Sequence, residues 1–110
     1  DSLAPSFLFK AADLANGLSD PKESIRLYEQ LLKDYPGYKK AAAAMFMVGF
    51  IYDTAIRDTA KAKDYYSRFL EKYPQHPLVP SAKASLDQIN SGMSDEELIR
   101  MFEEKNKSSL

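Results

Sequence analysis

Few side chains in this sequence are placed to do acid, base or nucleophilic chemistry. The one histidine, His76, sits in the turn Pro74-Gln75-His76-Pro77, with no neighbour in sequence to orient it. It reads as a solvated loop residue, not as a general base. Asp95, Glu96 and Glu97 form a carboxylate run at the start of a helical stretch. Negative charge is favoured there by the helix N-terminus, so the run reads as first-turn charge and not as an acid pair. With no cysteine there is no thiolate nucleophile, thiolate metal site or disulfide. No glycine-rich phosphate loop occurs, and no histidines and carboxylates stand at metal-ligand spacing. The expectation is a chain that is not an enzyme and holds neither cofactor nor metal. What the sequence does carry is aromatic surface, seven tyrosines and six phenylalanines, a residue set suited to packing and contact.

The bulk properties narrow the role further. Fifteen basic and sixteen acidic side chains leave a net charge of -1 over 110 residues, without the positive field of a nucleic-acid binder. An apolar content of 45% is too high for a disordered segment. No apolar run approaches the roughly 20 residues needed to span a bilayer, so no membrane insertion by this segment is expected. The length suits one domain.

The elements that position the aromatics read as helices throughout. Val, Ile and Thr total nine residues against thirteen Ala, and no stretch alternates apolar and polar residues as a half-buried strand does. Breakers at Asn16-Gly17, Pro36-Gly37, Pro74 to Pro77 and Ser91-Gly92 separate six helices. The first starts at Pro5. The second is capped by Asp20, with Glu23 placed to bond back to the cap, and stops before Pro36. The third, about 39–55, is apolar nearly all round and marks the centre of the fold. The fourth opens at Asp58, the fifth covers about 78–90, and the sixth begins with the capping box Ser94 to Glu97, shows Leu98 and Phe102 four apart, and leaves a flexible tail at 106–110.

A shift of 38 positions lays Tyr28-Glu-Gln-Leu-Leu-Lys-Asp-Tyr35-Pro36 over Tyr66-Ser-Arg-Phe-Leu-Glu-Lys-Tyr73-Pro74, and Leu3-Ala-Pro-Ser6 is echoed in Leu78-Val-Pro-Ser81. The single domain 1–110 therefore divides into repeat 1, about 5–36, repeat 2, about 39–74, and a capping helix pair, about 78–105. Within repeat 2, Met45, Val48, Gly49, Tyr52, Ala62, Tyr66, Phe69 and Pro74 follow the order of the tetratricopeptide signature; Leu8, Ala11, Ala12, Ala15, Ser24, Tyr28, Leu31 and Pro36 repeat it. The chain resembles the tetratricopeptide repeat family. The resemblance implies an all-α fold, a right-handed α-solenoid of three stacked antiparallel helix pairs. Small residues at Ala12, Gly49, Ser24 and Ala62 would let paired helices cross closely.

In that family the first helix of each pair lines a concave, partner-binding face. The matching positions include Phe9, Asp13 and Asn16, then Phe46, Phe50 and Asp53, then Gln88. The resemblance implies a non-catalytic scaffold that binds a protein or peptide partner there, in an apolar groove of Phe9, Phe46 and Phe50 rimmed by Asp13, Asn16 and Asp53. The opposing reading buries the three phenylalanines between repeats. Family members that grip acidic chaperone tails place Lys and Asn where this chain has Phe9, Asp13, Met47, Ser81 and Ser85, so that ligand is not expected. The motif segments also look like the repeats of Gram-negative cell-envelope proteins, including outer-membrane assembly lipoproteins. This likeness implies a periplasmic location, with a lipid anchor carried upstream, against a cytoplasmic alternative. Two other roles compete: a homo-oligomer formed through the first helix and its Phe7 flank, and an accessory domain of a longer enzyme.

Overall fold

The computed structural model describes residues 3–92 and 94–108, which form six α-helices and no strand. They are α1 (Leu3–Gly17), α2 (Pro21–Asp34), α3 (Ala41–Ile51), α4 (Thr59–Lys72), α5 (Val79–Ser91) and α6 (Asp95–Ser108). From α1 to α5 each helix packs on the one before it, giving an elongated α-solenoid with extents of 61 × 30 × 19 Å.

Local chemistry sets the helix ends. The Asp20 carboxylate accepts the Glu23 N–H at 3.3 Å, and Asp58 accepts that of Lys61 at 3.1 Å, each satisfying an orphan donor of the following first turn. The reciprocal arm expected from Glu23 is otherwise engaged: its carboxylate takes the Arg26 guanidinium, one turn along on the same helix face. Ser94 caps α6 by accepting from the Glu97 N–H at 3.1 Å. That helix runs to Ser108, into the stretch read as a tail, whose last two positions lie outside the described residues.

The core has two parts with α3 shared between them. Ala41, Ala44, Val48 and Ile51 face Ala12 of α1 and Ile25, Tyr28 and Leu31 of α2. Ala42, Met45 and Phe46 face Ala62, Tyr66 and Phe69 of α4 and Ala82 of α5. A helix buried on opposite sides needs apolar residues all round, which is why α3 lacks the amphipathic stripe of α2 and α4. The close crossings depend on small residues. Ser24 donates to the Ala12 carbonyl at 2.7 Å in the first pair. In the second, a Cβ on Gly49 would lie 3.0 Å from Tyr66 Cδ1 and 3.3 Å from Tyr65 Cβ.

The third helix departs from the expected single α-helix over 39–55. Its α-helical part ends at Ile51 and continues as a π-helical turn, Tyr52–Ile56, closed by Arg57 in the left-handed region at φ 67°. The cause lies in the repeat register. Ala12 and Ser24 are separated by one residue fewer than their counterparts Gly49 and Ala62. In the first pair the Asp20 N–H reaches back to Ala15 O, whereas in the second the Asp58 N–H reaches one residue further, to Tyr52 O at 2.9 Å. The extra residue is absorbed by widening the helix, the usual origin of a π-turn.

The capping pair is only half closed. Ala82, Leu86 and Ile89 of α5 pack on the α4 side of the core, but every described side chain of α6 is exposed. The residues of α5 that should meet a second helix explain this. Lys83, Ala84 and Asp87 stand where α3 has Met45, Phe46 and Gly49, and all three remain exposed. The surface offered to α6 is thus polar, with a charged side chain at the point of close crossing. The expected Leu98 stripe falls on a side chain outside those described.

Candidate functional site

The first helix of each pair carries the candidate contact residues, and packing treats them differently. Phe46 is buried: its ring meets Tyr66 at 5.8 Å and Phe69 edge-on at 5.7 Å between centroids, inside the α3–α4 core. Phe9 is half-buried, edge-on to Tyr28 at 5.5 Å, with the Lys40 ammonium 5.1 Å from its centroid. Both contribute mainly to helix packing, so the expected three-ring apolar groove is reduced to a single open ring. That ring is Phe50, 41% exposed and stacked on Phe46 at 6.1 Å. A buried aromatic platform therefore fixes the orientation of an aromatic left facing solvent.

The polar candidates gather at one end of α3. Asp53, on the π-helical turn, accepts a hydrogen bond from the Tyr66 hydroxyl at 3.1 Å. Burial first pushes the Tyr66 phenol pKa far above its usual value, with the Asp53 carboxylate adding to the rise. Asp53 and Gln88 line a cleft of about 420 Å³ with Arg57, Thr59, Ile89, Ser94 and Asp95. Gln88 donates its amide to Asp95, the link between α5 and the first turn of α6. Asp13 lies exposed and Asn16 half-buried on α1, in the pair before. The structure thus brings Asp53 and Gln88 into one cleft, with Phe50 three residues before Asp53 along the third helix, while Phe9, Asp13 and Asn16 form a separate stretch on α1.

Arg57 and Asp95 are cleft residues that sequence reasoning missed as contacts. The signal for Arg57 was the one-residue register difference between repeats, since the π-turn that absorbs it carries the chain into the left-handed conformation at this position. From the sequence Asp95 reads only as helix-terminal charge, and it does occupy the first turn of α6.

His76 is not the solvated loop residue expected. Its Nδ1 accepts the Leu78 N–H at 3.1 Å, its ring lies edge-on to Phe69 at 5.4 Å, and it is half-buried. Acceptance at Nδ1 places the neutral ring's proton on Nε2. The residue braces the turn before α5. No group of three His, Asp or Glu side chains converges as a metal cage among the described residues. No helix among them is long and apolar enough to cross a membrane.

On the opposite flank, Tyr65 ties the two repeats together. Its hydroxyl donates to Glu29 of α2 at 2.9 Å, its ring stacks on Tyr52 at 5.9 Å, and the Arg68 guanidinium lies 4.2 Å from its centroid. Burial, then the bond to Glu29, raise its phenol pKa to about 12.

Residues 7–38 and 43–76, together more than half of the chain, match the family model described as tetratricopeptide repeat. No curated protein matches the chain, and no solved structure does.

Proposed function

We propose, from the premise that the chain belongs to the tetratricopeptide repeat family, that it is a non-catalytic scaffold whose first-helix side receives a peptide or helix around Phe50. Repeats of this family generally mediate protein–protein interaction, and the finer reading rests on geometry. The observation that carries it is Phe50: a large aromatic, 41% exposed, held on a buried ring and three residues before Asp53, which lines a cleft with Gln88 and Asp95. Exposed aromatics seated on rigid packing are the usual anchors of an interface, and adjacent carboxylates favour a partner bearing Lys, Arg or amide donors next to its apolar anchor. An acidic C-terminal tail is disfavoured by the same charges.

The test is co-purification from the native host with a tagged chain, comparing Phe50→Ala with Lys63→Ala, an exposed position on α4. A bound protein retained by the wild type and by Lys63→Ala should be lost with Phe50→Ala. Retention of the same proteins by both variants would place the contact elsewhere. The cell-envelope setting is part of this proposal and rests on the likeness of the two motif segments to envelope-protein repeats. Fractionation of the full gene product in the host would test it, with recovery in the cytoplasm as the contrary result.

A further inference from the structure

Among the described residues, the link between the two helices of each pair has one residue in left-handed backbone space. It is Ser19 between α1 and α2 (φ 61°), Arg57 between the π-helical turn and α4 (φ 67°), and Gly92 between α5 and α6 (φ 68°). That conformation costs a residue with a Cβ and leaves glycine unstrained. Ser19 is small and uncharged, so only the second pair holds a long cationic side chain there. The chain reaches it through the π-helical turn, itself an uncommon conformation. Two locally unfavourable features therefore meet at Arg57.

Arg57 lines the cleft of about 420 Å³ together with Asp53 and Asp95, yet its guanidinium has no ion pair or hydrogen bond among the described residues. The carboxylates are engaged elsewhere. Asp53 takes the Tyr66 hydroxyl and Asp95 the Gln88 amide, each one bond of the roughly four that a carboxylate can accept. Asp58, the next residue, accepts the Lys61 N–H as the cap of α4. The cleft thus holds an uncommitted fork of donors beside two carboxylates with acceptor capacity left. A purely basic ligand would be repelled by Arg57, and a purely acidic one by Asp53 and Asp95. A ligand carrying both charges close together satisfies all three.

We propose that Arg57 sets the charge pattern of the partner: the segment docked at Phe50 carries, beside its apolar anchor, a basic residue for Asp53 and Asp95 and an aspartate or glutamate for Arg57. The inference rests on the docking reading above and adds to it an acidic residue that the cleft carboxylates alone would exclude. A guanidinium pairs with a carboxylate through two parallel bonds, so the contact is directional. The strained backbone at Arg57 is what aims that fork.

The test is selection of a displayed library of random peptides on the full chain. Peptides held by the wild type and released by Phe50→Ala should carry a Lys or Arg and an Asp or Glu beside an apolar residue. One such peptide, synthesised, should bind Arg57→Asn about tenfold more weakly. Asparagine tolerates the left-handed conformation, and circular dichroism would check that the variant is folded. Changing the peptide's acidic residue to its amide should weaken binding to the wild type by the same factor and leave binding to Arg57→Asn unchanged. Equal weakening on both proteins would show that the acidic residue meets another group, and Phe50-dependent peptides without an acidic residue would leave Arg57 no role; either result overturns the inference. A library that gives no peptide released by Phe50→Ala would refute the docking reading itself, and this inference with it.

Discussion

Tyr28 and Tyr66 occupy the same place in consecutive repeats and are both 0% exposed, yet their hydroxyls end differently. That of Tyr66 bonds to Asp53 at 3.1 Å, and Ser85 approaches it from α5. That of Tyr28 is buried with no partner among the described residues; at the position of Ser85 the preceding repeat has Met47, which offers no donor. An unpaired buried hydroxyl carries a desolvation cost of about 1 kcal/mol or more. Tyr28→Phe removes that group while keeping the ring, and should raise stability by about 1 kcal/mol, about 4 °C in Tm for a domain of this size. Tyr66→Phe removes a hydrogen bond to a carboxylate. Such bonds contribute about 1.5–3 kcal/mol, and Asp53, half-buried, regains water when the bond is lost, so the low end applies. The loss should be about 1.5 kcal/mol, leaving the two variants about 2.5 kcal/mol apart. Urea denaturation followed by circular dichroism reads both values. A Tyr28→Phe variant destabilised as much as Tyr66→Phe would show that the Tyr28 hydroxyl is bonded in solution and that the repeats do not differ as described.

Gly49→Ala should lose about 1 kcal/mol, because crowding of Tyr66 and Tyr65, about 1–3 kcal/mol, exceeds the gain of about 1 kcal/mol in helix propensity; equal or greater stability in the same denaturation would mean the rings can move aside. Phe46→Ala should cost about 3–5 kcal/mol and Phe50→Ala less than about 1 kcal/mol, since only the first empties the core, so near-equal losses would contradict the assigned burial. Burial, then the Asp13 carboxylate, push the Tyr28 phenol up to about 12, and Tyr65 is likewise raised to about 12, against 10.0 for a free side chain. Folded chains keep these protons where unfolded chains lose them, so the stability linked to them is complete below about pH 10 and drains as pH rises to about 12. Tyrosinate absorbance from the buried rings should therefore appear together with loss of helicity, whereas ionisation of all tyrosines near pH 10 with helicity intact would refute the shifts.

Much of the fold was legible because breakers and spacing act locally. Asp20 and Asp58 cap as their positions require, and the match of Tyr28 with Tyr66 locates the paired helices from the sequence alone. Three features needed the packing itself. The π-turn at Tyr52–Ile56 had a trace in the sequence, one residue more between Gly49 and Ala62 than between Ala12 and Ser24, but a longer loop would have accommodated that residue equally well. The open third pair depends on Lys83 and Asp87 standing where α3 has Met45 and Gly49, which is visible only once α3 supplies the register. Phe46 and Phe50 are one helical turn apart and carry the same side chain, so no periodicity separates core from surface; the neighbouring Tyr66 and Phe69 decide it. His76 shows the same limit, because its partners are the Leu78 N–H and the ring of Phe69 on α4, seven residues earlier.

Site-specific photo-crosslinking in the native host tests the central claim most directly. With a photoreactive residue at position 50, the account predicts a crosslink to a protein partner, weakened by Asp53→Lys in the same chain, and no crosslink to that partner from position 63 on α4. Crosslinking to the same partner from position 63 and none from position 50 would show that the first-helix side is not the docking surface.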